Sequence, residues 1–177
     1  MKLDTFAITV YRQPEVADAC LALQETMELD VPILLYCAWF GCFYGEMKDT
    51  VLNQAIEISN TYANNVVKPL RHTRRWMKDT ARSSGGLLTT ENLLSWQTLR
   101  EQIKAVEISS ELLWLKALES ITEQHLFTQQ ADFKSENVVA NMHRYCQTLR
   151  SNRELRDSEV MLLLSRIADS CVPAHKA

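Results

Sequence analysis

Five cysteines and four histidines are the residues of this chain suited to nucleophilic or metal chemistry. His143-x-x-Cys146 places two candidate ligands on one face of a helix. A zinc site needs four ligands, or three and an open position, so the pair reads as a half-exposed histidine beside a buried cysteine. No Glu-x-x-His occurs, which counts against a di-iron site of the kind helical bundles carry. Cys37 and Cys42 lie in an apolar run, where burial raises a thiol's pKa and makes it inert. Cys20 and Cys171 read as core positions, and most carboxylates fall on charged outer faces. Gly85-Gly86 lacks the following Lys-Ser/Thr and the preceding strand of a phosphate loop. These residues assign no catalytic, metal or cofactor site, and a non-enzymatic protein without cofactors is the expectation.

Recognition chemistry is better represented. Lys68, Arg71, Arg74, Arg75, Lys78 and Arg82 are six basic residues within one stretch, with Asp79 as the acid among them. At 100° per residue, Lys68, Arg71, Arg75, Lys78 and Arg82 share one side, flanked by His72 and Trp76. Val66, Leu70, Thr73 and Met77 share the opposite side. This ridge has three readings. It is a solvated face paired with the glutamates of a neighbouring long helix, a surface for an acidic protein partner or for self-association, or a phosphate-binding face on which Trp76 stacks a base.

The element behind these residues is the run 31–44, VPILLYCAWFGCFY, which carries no charge until Glu46. Asp30 and Pro32 suit a helix start. A helix apolar on every side is buried on every side. Fourteen residues are too few to span a bilayer, which takes about 20. Cys37, Gly41 and Gly45 form a small flank that admits a close neighbour. Tyr36, Trp39, Phe40 and Tyr44 are an aromatic cluster, read as a packed hub with an apolar ligand pocket as the alternative.

Around this hub the periodicity predicts an all-α, single-domain bundle of about seven helices over 1–177. Helices 3–12 and 14–28 precede the hub. A long helix of about 50–80 keeps its apolar phase through Pro69, which predicts a kink there. A second, about 90–124, is expected to bury Leu99, Ile103, Val106, Leu113 and Ala117, with Ile108, Leu112, Leu115 and Leu118 widening the stripe. Its Glu101, Lys104, Glu107, Glu111, Lys116 and Glu119 are expected to face solvent. Ser135 is expected to cap the next helix, and the last opens near Asp157. Residues 82–90 read as a flexible loop and 172–177 as a disordered tail.

A length of 177 residues, 46% hydrophobic and 23% charged, fits one globular domain. The net charge of -3 points to no polyanion partner, so a basic ridge makes the molecule polarised. The start MKLDTF carries no export signal, and an odd set of cysteines among apolar residues suits a reducing cytoplasm.

Four blocks, YRQPEVADACLALQ from Tyr11, DVPILLYCAW from Asp30, VVKPLR from Val66 with Arg74-Arg75 following, and LREQIKAVEI from Leu99, occur in register. In that order and spacing the chain resembles, over about 4–120, a family of short proteobacterial proteins known only as a domain of unknown function. The resemblance implies an all-helical cytoplasmic protein, makes Pro69 and the arginines after it part of the shared pattern, and supplies no activity. Residues 83–90 and the tail beyond about 124 depart from it. The resulting expectation is an interaction or adaptor protein that presents Lys68, Arg71, Arg74, Arg75, Trp76, Lys78 and Arg82 to an acidic protein or a nucleic-acid backbone. Self-association is possible in the same expectation, and a membrane is not a partner.

Overall fold

The computed structural model describes residues 1–83, 90–125, 127–129, 132–149 and 156–172, without the side chains of 82, 83, 90 and 91. The fold is all-α, with no strand among the described residues. Its helices are α1 (Leu3–Tyr11), α2 (Pro14–Met27), α3 (Val31–Phe43), α4 (Asp49–Tyr62), α5 (Lys68–Ser83), α6 (Thr90–Gln124), α7 (Ser135–Thr148) and α8 (Asp157–Asp169). A π-helical turn, Ala63–Val67, joins α4 to α5 without a break, so these elements make seven continuous helices among the described residues. The expected loop at 82–90 and tail at 172–177 fall largely outside the described residues. The expected single domain is organised as two compact units, Met1–Ser59 with Leu115–Ala177, and Asn60–Trp114.

In the first unit α3 is the hub. Every residue from Ile33 to Phe43 is buried, as an uncharged helix requires. Asp30 starts it through its carbonyl, which accepts from the N–H groups of Ile33 (3.1 Å) and Leu34 (3.3 Å), rather than through a carboxylate cap. Gly45, at φ 88°, ends it in the left-handed region that glycine enters without strain. Against α3 packs α7, and Gly41 makes the approach possible. A Cβ there would lie 2.6 Å from Val138 Cα and 2.8 Å from Val138 N. The aromatic hydroxyls and indole of this core are wired as well as packed. Tyr36 Oη lies 2.9 Å from Thr122 Oγ1, and Trp39 Nε1–H donates to Met1 O at 3.0 Å. Tyr145 Oη accepts the Asp30 N–H at 3.0 Å.

Asn141 of α7, buried, fixes the turn after α3. Its Oδ1 accepts the Met47 N–H at 2.8 Å and its Nδ2 donates to Gly45 O at 2.9 Å. Arg144, one turn on, donates to Met47 O and to Glu46 at 2.5 Å. The start of α7 differs from expectation. Lys134 is its N-cap, and the Lys134 carbonyl accepts from Asn137, with Ser135 already inside the helix.

The second unit contains the π turn, α5 and α6 up to Trp114. Pro69 has no N–H to give Asn65 and its ring crowds that carbonyl. The chain absorbs this ahead of the proline by widening to the π turn, in which Lys68 N–H reaches back five residues to Ala63 O. The irregularity therefore sits at 63–67 and not at Pro69. The wider turn also advances the helical phase by about one residue. Val67 is buried and Val66 is 38% exposed, the reverse of the expected packing. On α6 the expected apolar stripe is the buried one only in part, through Leu115 and Leu118. Glu107 and Trp114 are buried, while Leu99, Val106 and Leu113 are exposed.

A candidate interaction surface on α5

The advanced phase divides the cations of α5. Arg71 and Arg74 turn toward α6, where Arg71 Nε meets Glu107 at 3.1 Å and Arg71 Nη2 meets Glu111 at 2.7 Å. Arg74 Nε lies 2.5 Å from the other oxygen of Glu107. Arg71 thus bridges Glu107 and Glu111, and Arg74 takes both oxygens of Glu107, a geometry that suits the planar guanidinium. Burial works against the charged form of Glu107, and the bonds from Arg74 and Arg71 outweigh it, so its pKa is held below the usual carboxylate value. The Glu107 bond likewise holds Arg74 above its ordinary value. Glu111 goes the other way, raised by burial that Arg71 only partly offsets. Arg71 and Arg74 therefore leave the expected exposed ridge and become the polar core of their unit.

Lys68, Arg75 and Lys78 remain outward. Lys68 donates to Asn64 Oδ1 at 3.1 Å. Arg75 and Lys78 meet no carboxylate among the described residues. Beside them Trp76 is 53% exposed and tilts against Trp96, with ring centroids 5.5 Å apart. Trp96 is itself anchored, donating its indole N–H to Met77 O at 2.9 Å. The side chain of Arg82 lies outside the described residues. The surface is thus three outward cations around an aromatic plane held by a second tryptophan.

The other candidate, the aromatic cluster of α3, is filled by the protein itself. Tyr36, Trp39 and Phe40 are buried, and Tyr44 is half-buried. Phe127 closes on Phe40 edge-on at 5.1 Å, and Tyr44 meets Trp39 edge-on at 5.2 Å and lies tilted against Phe40 at 5.3 Å. Burial raises the Tyr36 hydroxyl pKa well above its ordinary value. Among the described residues these side chains pack on one another as a hub.

The thiols are equally enclosed. None of the five cysteines is in a disulfide, and all are buried. Burial, with Cys171 nearby, pushes the Cys20 thiol up to about 12, and burial alone takes Cys146 to about 12. At neutral pH these are protonated and poor nucleophiles. His143 Nε2 faces Asp157 Oδ1 at 3.2 Å on the surface, beside the buried Cys146. Among the described residues no three of His, Cys, Asp and Glu are grouped as a metal would need. No helix of the described residues is long and apolar enough to cross a membrane.

Two features were not read from sequence. Glu107 looked like one more carboxylate on a charged face, and nothing local marks it as buried. Asn141 did carry a signal, since it sits on the buried side of α7 with Val138, Met142 and Tyr145.

No curated protein and no solved structure matches the chain. A family described as "Protein of unknown function (DUF2390)" matches residues 2–118, a span that takes in α1 to α5, the π turn and α6 as far as Leu118. With two thirds of its length matched, the chain belongs to that family of proteins of unknown function.

Proposed function

We propose that the protein is a non-enzymatic helical interaction protein, cytoplasmic, that docks an acidic protein surface on the outward face of α5. The observation that carries this reading is the division of the α5 cations. Arg71 and Arg74 are paired with Glu107 and Glu111, whereas Arg75 and Lys78 meet no carboxylate among the described residues and lie beside exposed Trp76. Charge on a rim steers encounter with an oppositely charged partner, and an exposed tryptophan supplies the apolar anchor common at binding hot spots. The chain's net charge of -3 favours a locally acidic protein over a long polyanion, which the rest of the surface would repel. The five enclosed thiols suit a reducing compartment.

A direct test titrates the protein with a short polyglutamate peptide and with a single-stranded oligonucleotide at several salt concentrations, following tryptophan fluorescence, with Trp76→Phe identifying the part of the signal due to Trp76. Polyglutamate is expected to bind with a salt-sensitive affinity that the double variant Arg75→Glu, Lys78→Glu weakens at least about tenfold, with helicity unchanged. Tighter binding of the oligonucleotide, quenching Trp76 by stacking, would move the reading to nucleic acid. Equal affinity of variant and native protein for both probes would remove α5 as the interface.

A further inference from the structure

The second unit has an unusually thin core. Between Asn60 and Trp114 the buried side chains among the described residues are Ala63, Val67, Met77, Glu107 and Trp114, one of them a carboxylate. The same stretch exposes Val66, Trp76, Leu94, Leu99, Val106, Ile108 and Leu113, seven of the twelve large exposed apolar side chains among the described residues. Two helices alone make one layer, and a layer of helices ordinarily buries its apolar face on another. Exposed apolar surface on this scale marks an interaction site.

On α6 part of that surface is ordered. Leu99, Val106 and Leu113 recur every seven residues and are 48%, 52% and 56% exposed. At 100° per residue their neighbours on the same side are Asn92, Ser95, Gln102, Ser109 and Ser110, so the face is uncharged from 92 to 113. A spacing of seven is the period at which one helix keeps a seam turned toward another. The order Leu, Val, Leu reads the same from either end.

We infer that α6 pairs with α6 of a second copy of this chain, antiparallel, across Leu99, Val106 and Leu113. A second copy is the occupant the face suits. An uncharged stripe gives a charged partner nothing to read, whereas two identical uncharged stripes meet with no like-charge cost. Antiparallel pairing sets the two helix dipoles head to tail and, centred on Val106, places each Leu99 against Leu113 of the other copy. The pairing is isologous, so it closes at two chains. Its footprint is modest, roughly 33 Å by 10 Å on each helix. That is below the roughly 800 Å² per partner of a standard interface, so dimers should form in the range of tens of micromolar and above. This surface is distinct from Arg75 and Lys78, and the pairing stands or falls independently of the α5 reading.

Cross-linking through introduced thiols decides the matter, because every native cysteine is buried and leaves no competing surface thiol. With oxidised glutathione as the oxidant, two protein thiols form one disulfide and release two reduced glutathiones. Val106→Cys is expected to give covalent dimer, while Leu99→Cys and Leu113→Cys give little alone and cross-link when mixed. Sedimentation of the native protein should show dimer growing with concentration, and Val106→Glu should remain monomeric at the highest concentration with unchanged helicity. Equal self-cross-linking of all three single variants would mean parallel helices and overturn the pairing described. A native protein that sediments as monomer throughout, with no Val106→Cys dimer, would overturn it entirely.

Discussion

Gly41→Ala is expected to destabilise the protein by about 3 kcal/mol or more, among the larger effects a single methyl group can have. The added Cβ would sit 2.6 Å from Val138 Cα, 2.8 Å from Val138 N and 2.9 Å from Asn137 O. All three are backbone atoms of α7, so no side chain can swing aside. Either α7 moves off α3, opening the contact that buries the hub, or the native state is lost. Urea unfolding followed by circular dichroism should show a lower midpoint with little change in slope, and the melting temperature should fall by roughly 10 °C. A midpoint equal to that of the native protein would mean that α3 and α7 are not in backbone contact at Gly41.

Asn141→Leu comes next in size. Leucine fills nearly the same volume but offers no hydrogen bonds, and Asn141 serves two backbone groups at once. The Met47 N–H and the Gly45 carbonyl would be left without their partner inside the protein. An orphaned buried polar group costs about 1–3 kcal/mol, so the pair should cost about 3 kcal/mol together. The local signature separates this from general loosening. The Met47 amide, which its bond to Asn141 is expected to protect from hydrogen exchange in the native protein, should exchange faster in the variant than amides in the middle of α3. Undiminished Met47 protection together with an unchanged unfolding midpoint would show that Asn141 does not hold this turn.

The hub was legible because absence of charge over 31–44 admits one physical outcome, burial on all sides, and because small residues four apart mark where a second helix can approach. Gly41 against Val138 is that reading realised in atoms. The phase of α5 was not legible. A π turn leaves no local signature beyond the proline it accommodates, and its single extra residue turns Arg71 and Arg74 inward. On α6 apolar residues occur on several sides, so periodicity alone did not single out the buried one. Glu107 decided it, and its burial depends on two arginines more than thirty positions away. Of the readings of these cations, pairing with the glutamates of the long helix is the one Arg71 and Arg74 take, while Lys68, Arg75 and Lys78 stay outward.

That division is the central claim, and one comparison tests it. In Glu107→Gln the carboxylate shared by Arg71 and Arg74 is neutral, so Arg74 loses its ion pair and Arg71 keeps only the one to Glu111, which leaves more positive charge for an anionic probe. With polyglutamate as the probe and salt fixed, the account predicts roughly threefold tighter binding for Glu107→Gln and at least about tenfold weaker binding for Arg75→Glu, Lys78→Glu. Affinities that fall in both variants, or that stay at the native value in Glu107→Gln while its helicity is intact, would contradict the claim that Glu107 keeps those two arginines out of the surface.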